Sequence, residues 1–213
     1  MRISGRLGMA AQARRQGKDI SSSPTAQRIL TAAKRILSEE GYARLTLQAV
    51  EKESGEYRAL VAYYFGNKQG LIDAIVEDLM QSEDAALRER LDEIESPDER
   101  VRALIDEQRQ ISADWRGFRA FYELLPHIMR DERLRTDLAA DYAESRELDR
   151  RTLAAGQTGR GDADLDKLAA LSVAIVEGLA VQYATDQEHF DHEGTYRLWE
   201  DMVLAYLRAT SRP

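Results

Sequence analysis

Apolar residues recur every three or four positions along most of the chain, and this spacing constrains the fold more than any other sequence feature. Over residues 29–37, 71–79 and 198–207 they fall on one face of a helix. No segment alternates apolar and polar residues as a half-buried strand does. The pattern predicts an all-α protein of about nine helices, and 213 residues leave room for a small head on a larger body.

Charge is divided unevenly along the chain. Residues 1–68 contain 12 Lys and Arg against 6 Asp and Glu, a net charge of +6, whereas residues 69–213 contain 18 against 32, a net charge of −14. The overall charge of −8 would argue against DNA binding. A basic head on an acidic body instead indicates that only the head meets a polyanion, with chance clustering as the alternative.

Composition and motifs exclude several classes of protein. The absence of cysteine excludes disulfides, thiolate metal sites and a cysteine nucleophile. No apolar run approaches the roughly 20 residues of a membrane span. No glycine-rich phosphate loop or nucleophile elbow is present. We therefore expect a cytoplasmic protein that is neither an enzyme nor a membrane protein and that needs no cofactor.

Local signals divide the chain into three parts. Residues 1–23 form a basic arm with little to bury, which either follows a phosphate backbone or merely solubilises the chain. Residues 24–67 contain three short helices, the second capped by Thr46 and ended by Gly55, and this arrangement predicts a helix-turn-helix. Residues 68–213 form a helical body.

The stretch from Leu45 to Leu71, LTLQAVEKESGEYRALVAYYFGNKQGL, combines several residue types at fixed spacing. With Gly41-Tyr42 before it, this stretch resembles the DNA-binding domain of the TetR family. The resemblance implies a homodimeric transcriptional regulator, by default a repressor, that binds palindromic operator DNA and is released by a small, largely apolar effector. The alternative is a helical protein that binds a small molecule or metal and has no DNA function.

The third short helix carries the predicted DNA contacts. Val61 and Phe65 lie one turn apart and anchor it inward. Arg58 reads a guanine edge or contacts a phosphate, and Tyr64 either contacts the DNA backbone or packs in the head. The predicted DNA-binding residues are Thr46, Arg58, Ala59, Ala62, Tyr63, Tyr64 and Lys68.

Glu56 and Tyr57 depart from the family pattern, in which a small apolar residue and a Ser, Thr or Asn cap follow the turn glycine. The recognition helix therefore lacks its usual cap, unless Glu56 serves. A carboxylate at Glu56 would also repel phosphates, unless it contacts cytosine or pairs with Arg58. These departures bear on the operator sequence more than on DNA binding itself.

The last two helices, about 165–185 and 194–209, have broad apolar surfaces that suit a four-helix dimer interface. The alternative is that they only fill the core of the monomer. The predicted interface residues are Leu171, Ile175, Val176, Leu179, Trp199, Met202 and Tyr206.

Effector binding is predicted in the middle of the body, where aromatic residues cluster from Trp115 to Met129. At least half of these side chains would simply be core. Glu177 interrupts an apolar helix, so its carboxylate either selects a cationic or hydroxyl-bearing ligand or pairs with an internal arginine or a dimer-mate residue. The candidates are Trp115, Phe118, Phe121, Tyr122, Leu125, Tyr142, Glu177 and Tyr183.

Four residues before the last helix form a compact group of histidines and acids: His189, Asp191, His192 and Glu193. Such a group has the ligand types of a metal site. The more ordinary interpretation is a solvated loop, and no metal is assigned.

Overall fold

The computed structural model describes residues 23–80, 84–155 and 162–210, and within these ranges it contains ten α-helices and no strand. The prediction of an all-α fold is confirmed. A short 3-10 helix, Tyr42–Arg44, follows the first α-helix. The α-helices are α1 (Pro24–Glu40), α2 (Leu47–Ser54), α3 (Arg58–Phe65), α4 (Lys68–Met80), α5 (Asp84–Glu93), α6 (Pro97–Ala113), α7 (Trp115–Ile128), α8 (Glu132–Ala154), α9 (Asp162–Thr185) and α10 (His192–Thr210).

Helix boundaries in the N-terminal region follow local chemistry. The Ser23 hydroxyl accepts a hydrogen bond from the Ala26 N–H at 3.3 Å, and the Thr46 hydroxyl accepts one from the Ala49 N–H at 3.0 Å. Each satisfies a backbone donor that has no partner within its helix. Gly55 ends α2 at φ 71°, a left-handed conformation that favours glycine. The predicted cap at Thr46 and turn at Gly55 are both confirmed.

The chain divides into two compact units, residues 1–81 with 119–138 and residues 82–118 with 139–213. Two of the three boundaries, at residues 118/119 and 138/139, fall inside α7 and α8. The sequence analysis placed the border between the DNA-binding region and the body at residues 67 and 68. That border separates functions and not packed units, and it stays a prediction. The proposed arm, residues 1–22, and the predicted loop over residues 156–161 lie outside the described residues.

The core of the first unit is built on helices α1 to α4. Val61 of α3 and Leu71 of α4 are fully buried, and α7 contributes Leu124 and Ile128, which are also inaccessible to solvent. Further fully buried side chains in this unit are Ile29, Ala33, Leu37, Leu45, Val50 and Ile75. This core holds α3 by one face and leaves the opposite face to solvent.

The second unit combines an apolar cluster with a buried polar network. The Gln108 side-chain amide donates to Asp149 Oδ2 and to Ser172 Oγ, both at 2.9 Å, which joins α6, α8 and α9. A satisfied network of this kind fixes the relative position of three helices. The apolar cluster contains Val101, Ile105, Leu153, Leu165, Leu168, Leu179, Tyr196, Val203, Leu204 and Leu207.

Helix α9 corrects one expectation. Its segment Asp164–Thr185 contains an 18-residue window with a mean hydropathy of 1.5 and is long and apolar enough to cross a membrane, although no such run was expected from the sequence. Glu177 interrupts the apolar run without lowering the mean of this window enough. Length and composition alone are weak evidence, because a core helix passes the same test. Leu165, Leu168 and Leu179 of this segment belong to the apolar cluster.

Candidate nucleic-acid interface

Helix α3 presents the surface predicted to meet DNA. Val61 is fully buried and Phe65 is 6% exposed, so these two side chains attach the helix to the core as predicted. Arg58, Ala59, Ala62 and Tyr63 are exposed on the other face. The orientation of the helix is therefore the one that the spacing predicts, and the DNA contacts of its outer face stay predictions.

The N-terminus of α3 is capped in a way that sequence reasoning missed. Tyr57 occupies the N-cap position and makes no side-chain capping hydrogen bond. The Glu51 carboxylate, on α2, instead accepts a hydrogen bond from the Arg58 N–H at 3.2 Å. A carboxylate at this end also interacts favourably with the helix dipole. Glu51 thus satisfies the first backbone donor of α3, which has no partner within the helix.

Glu56 has a partner that the sequence did not indicate. Its carboxylate accepts a hydrogen bond from Arg28 Nε at 2.8 Å, and Arg28 lies on α1. Neither predicted role of Glu56, a cap for α3 or a pair with Arg58, is the one in the structure. Arg28 compensates the charge of the turn carboxylate, so the repulsion expected between Glu56 and phosphates is reduced.

The two tyrosines near the end of α3 have different environments. Tyr64 is half-buried, and its hydroxyl accepts a hydrogen bond from Ser23 Oγ at 2.9 Å. Tyr63 is 54% exposed, and its ring meets that of Tyr64 edge-on with centroids 5.1 Å apart. Tyr64 therefore packs in part within the head, and the DNA contacts predicted for Tyr63 and Tyr64 stay predictions.

The turn between α3 and α4 brings the backbone of Gly70 close to that of Phe65. The Asn67 side chain accepts a hydrogen bond from the Gly70 N–H at 3.0 Å, which caps α4. A Cβ atom built on Gly70 would lie 2.0 Å from the carbonyl oxygen of Phe65, so no other residue fits without moving the backbone. The position of α4 relative to the recognition helix therefore depends on a glycine.

Tyr42 is a second feature that the sequence did not reveal. Its backbone N–H donates to Glu123 Oε2 at 2.8 Å, and its ring lies 3.7 Å from that of His127 between centroids. Lys68 Nζ lies 4.2 Å from the centre of the same ring, a cation–π geometry. Burial lowers the pKa of Lys68. A phosphate contact of Lys68 stays a prediction, and its ammonium already has an aromatic partner.

The residues predicted to bind an effector are divided between the two units. Phe121, Tyr122 and Leu125 fall in the first unit. In the second unit, the Tyr142 hydroxyl donates a hydrogen bond to Glu177 Oε1. Glu177 thus has a tyrosine of its own chain as one partner, and pairing with an internal arginine or a dimer-mate residue stays a prediction. Trp115, Phe118 and Tyr183 are also in the second unit and are partly buried.

The group of histidines and acids near residue 190 is dispersed. His192 begins α10, is 8% exposed and lies with Nε2 2.7 Å from the Ser112 hydroxyl, whereas His189 is exposed and paired with Asp186. Asp191 caps α10 by accepting a hydrogen bond from the Gly194 N–H at 2.8 Å. In the part of the chain that the structure describes, no three such residues form a group that could hold a metal. The predicted loop is therefore in part the start of the last helix.

Helices α9 and α10 together expose a broad apolar face. Leu171, Met202 and Tyr206 are 58%, 56% and 41% exposed, and Val181 and Leu198, which were not predicted, are 44% and 60% exposed. Leu179 belongs to the core of the monomer, while Ile175, Val176 and Trp199 are half-buried. An apolar groove runs along this face and is lined by Asp164, Lys167, Leu168, Leu171, Trp199, Met202, Val203 and Tyr206.

Two family models match the chain. Residues 29–75 match the one described as bacterial regulatory proteins, tetR family, and residues 97–208 match the one described as BetI-type transcriptional repressor, C-terminal. The second match alone covers more than half of the chain.

Individual proteins agree with these matches. The chain is 28% identical over 191 residues to the HTH-type transcriptional regulator BetI of Ectopseudomonas mendocina. The matched region covers 82% of this chain and 89% of the relative. It is 30% identical over 81 residues to BetI 1 of Chromohalobacter salexigens, and there the chain spans only 40% of the length of the relative. The fatty acid degradation regulator FadR of Bacillus halodurans has the same fold, with a TM-score of 0.71, 18% identity and coverage of 87% of this chain and 97% of that one.

Proposed function

We propose, because this chain belongs to the TetR family of bacterial transcriptional regulators, that it is a cytoplasmic repressor that binds a palindromic operator as a homodimer. A small effector then releases it from the DNA. We assign it no catalytic reaction. The observation that carries the proposal is the outer face of α3, where Arg58, Ala59, Ala62 and Tyr63 are exposed while Val61 and Phe65 hold the helix from behind.

The face of α3 suits a major groove. Alanine side chains at positions 59 and 62 leave room for the helix to approach the base edges, and Arg58 at its start can pair with the acceptors of guanine. Tyr63, near the other end, can donate a hydrogen bond to a phosphate oxygen. Two such helices in a dimer would occupy successive major grooves about 34 Å apart.

The dimer is supported by the apolar face of α9 and α10. Only 28% of the apolar window in α9 is buried within the chain, although its mean hydropathy is 1.5. An apolar surface of this extent is usually an interaction site. A second copy of the same face would cover it in an isologous four-helix interface, with Leu171, Met202 and Tyr206 near its centre.

The effector site is proposed in the second unit, around Tyr142 and Glu177. Their hydrogen bond places a carboxylate and a phenol together on α8 and α9, and neither side chain is fully exposed. A largely apolar ligand with one cationic or hydroxyl group could exchange with the tyrosine as the partner of Glu177. Any ligand that binds the DNA-free form more tightly must weaken DNA binding by the same free energy.

Selection of bound fragments from a random duplex library tests DNA binding directly. We expect an enriched palindrome with two half-sites, and we expect Arg58→Ala to reduce its affinity. The control is Gln187→Ala, an exposed position after α9. If the dimeric protein retains no fragment, the proposal is contradicted, and a helical ligand-binding protein without DNA function is favoured.

A further inference from the structure

Tyr57 is the most exposed large hydrophobic residue that the structure describes, at 77%. It stands directly before Arg58, the first residue of the recognition helix, with an extended ψ of 140°. An aromatic side chain at this exposure gains nothing from the core of the monomer. Its position directly before the recognition helix leaves it open to a contact outside the monomer.

The Tyr57 side chain has no capping role. An N-cap side chain would normally accept a hydrogen bond from the N–H of the second or third residue of the helix, and Tyr57 makes no such bond. The Glu51 carboxylate accepts the N–H of the first residue, Arg58, at 3.2 Å. The neighbouring carboxylate of Glu56 is held by Arg28 at 2.8 Å. The Arg58 N–H and the Glu56 carboxylate thus have partners other than the Tyr57 side chain, and its ring is not engaged in either contact.

We propose that Tyr57 is a specificity-determining residue that reads one base pair in each half-site. Its ring packs against the methyl group of a thymine, and its hydroxyl donates to a neighbouring acceptor on a base edge in the major groove. Both features belong to the direct code of that groove. This assignment rests on the proposed function, because it requires α3 to enter DNA.

A contact with the phosphate backbone is the competing role for an exposed tyrosine. The two roles differ in their consequences, since phosphate contacts position the protein without carrying sequence information. Loss of a base contact changes preference at one position of the half-site, whereas loss of a phosphate contact weakens binding to all sequences alike.

The substitutions at this position can be chosen so that misfolding is not an explanation. Tyr57→Ser introduces a preferred N-cap residue, so we expect the protein to remain at least as stable as the wild type. Tyr57→Ala removes the side chain without adding a cap. Tyr57→Phe keeps the ring and removes only the hydroxyl, which separates the two parts of the contact.

The experiment is selection from a random duplex library with the wild-type protein and the three variants, followed by titration of single-base variants of the selected site. We expect Tyr57→Ser and Tyr57→Ala to lose the preference for thymine at one position of each half-site, by roughly tenfold in relative affinity. Tyr57→Phe should lose only part of it. Thermal unfolding of each variant confirms that the fold is intact.

The other outcomes are distinguishable. If the wild type enriches a palindrome and the variants enrich the same one with the same relative affinities, this inference is overturned and the proposed function stands. If the variants bind every sequence more weakly by the same factor, Tyr57 contacts the phosphate backbone of the DNA, and this inference is also overturned. If the wild type enriches no sequence, the proposed function fails first.

Discussion

Glu123 of α7 accepts a hydrogen bond from the backbone N–H of Tyr42, 81 residues earlier in the chain, at 2.8 Å. Tyr42 begins the 3-10 helix between α1 and α2, where an N–H group has no partner within its own element. The same tyrosine ring supports Lys68 at the start of α4. One carboxylate therefore fixes the segment that joins the first two helices of the DNA-binding region.

Removal of this carboxylate should destabilise the protein. We expect Glu123→Ala to lower the free energy of unfolding by about 1–3 kcal/mol, because it leaves a partly buried donor without its charged acceptor. Glu123→Gln is the matched control, since its amide oxygen can still accept the hydrogen bond and should retain most of the stability. Urea unfolding measures both. Equal loss in the two variants would show that charge, and not the hydrogen bond, is what matters.

Gly70 should tolerate no side chain. A Cβ atom there would meet the Phe65 carbonyl oxygen at 2.0 Å, and because this atom belongs to the backbone, α3 or α4 must move. We expect Gly70→Ala to reduce both the melting temperature and the affinity for DNA. The exposed neighbour Gln69 offers a control, since Gln69→Ala should change the free energy of unfolding by less than about 0.5 kcal/mol. Wild-type binding by Gly70→Ala would mean that the close approach is not needed.

Charge on the proposed dimer face should give folded monomers. Leu171→Arg and Met202→Arg place a guanidinium on positions that are 58% and 56% exposed, so the core of the monomer is left intact. Leu179→Arg would be less informative, because Leu179 is 8% exposed and part of that core. Sedimentation should show monomers whose helix content is unchanged and whose DNA binding is weak. Gln187→Arg, exposed but beyond the end of α9, should remain dimeric.

Arg58 and Lys68 should differ in their effect on DNA binding. Arg58→Ala should relax preference at one base pair, at about 1–3 kcal/mol if the contact is bidentate. Lys68→Ala should weaken binding to all sequences. It should also reduce the magnitude of the slope of log affinity against log salt concentration by about one unit. Titrations at several salt concentrations separate the two. An unchanged salt slope in Lys68→Ala would assign this lysine to the support of Tyr42 alone.

His192 should make the second unit less stable in mild acid. Burial, with a smaller contribution from Arg109, lowers the pKa of His192 from its ordinary value of 6.5. Below about pH 6.5 the unfolded chain binds a proton at His192 that the folded chain does not bind. The contribution of neutral His192 to the free energy of unfolding is therefore full above about pH 6.5 and is lost as the pH falls toward the lowered pKa of the folded state. Urea unfolding from neutral to mildly acid pH should show a shallower decline for His192→Gln than for the wild type. Parallel declines would contradict this role.

Local features of the fold followed from the sequence, and distant pairings did not. The Thr46 cap, the Gly55 turn and the burial of Val61 and Phe65 depend on neighbours within one or two turns, so residue type and spacing were sufficient to predict them. The orientation of α3, on which the candidate site depends, was predicted for the same reason.

The missed features join residues that are far apart along the chain. The partners in the Arg28–Glu56 and Tyr142–Glu177 pairs are 28 and 35 residues apart. A periodic pattern identifies the face of a helix that is buried, but it does not identify the side chain that this face will meet. The role of Glu51 was hidden for a related reason, because a cap normally comes from the residue beside the helix and not from the preceding helix.

The apolar face of α9 and α10 ties the behaviour of this chain to its own abundance. Association through this surface stabilises the folded chain, so by mass action the apparent Tm of the proposed dimer rises with protein concentration. When the chain is scarce, the dimer population falls with the square of the monomer concentration. Operator occupancy would then fall more steeply than the total concentration of the protein. A modest change in synthesis or degradation would relieve repression, in addition to the effect of the effector.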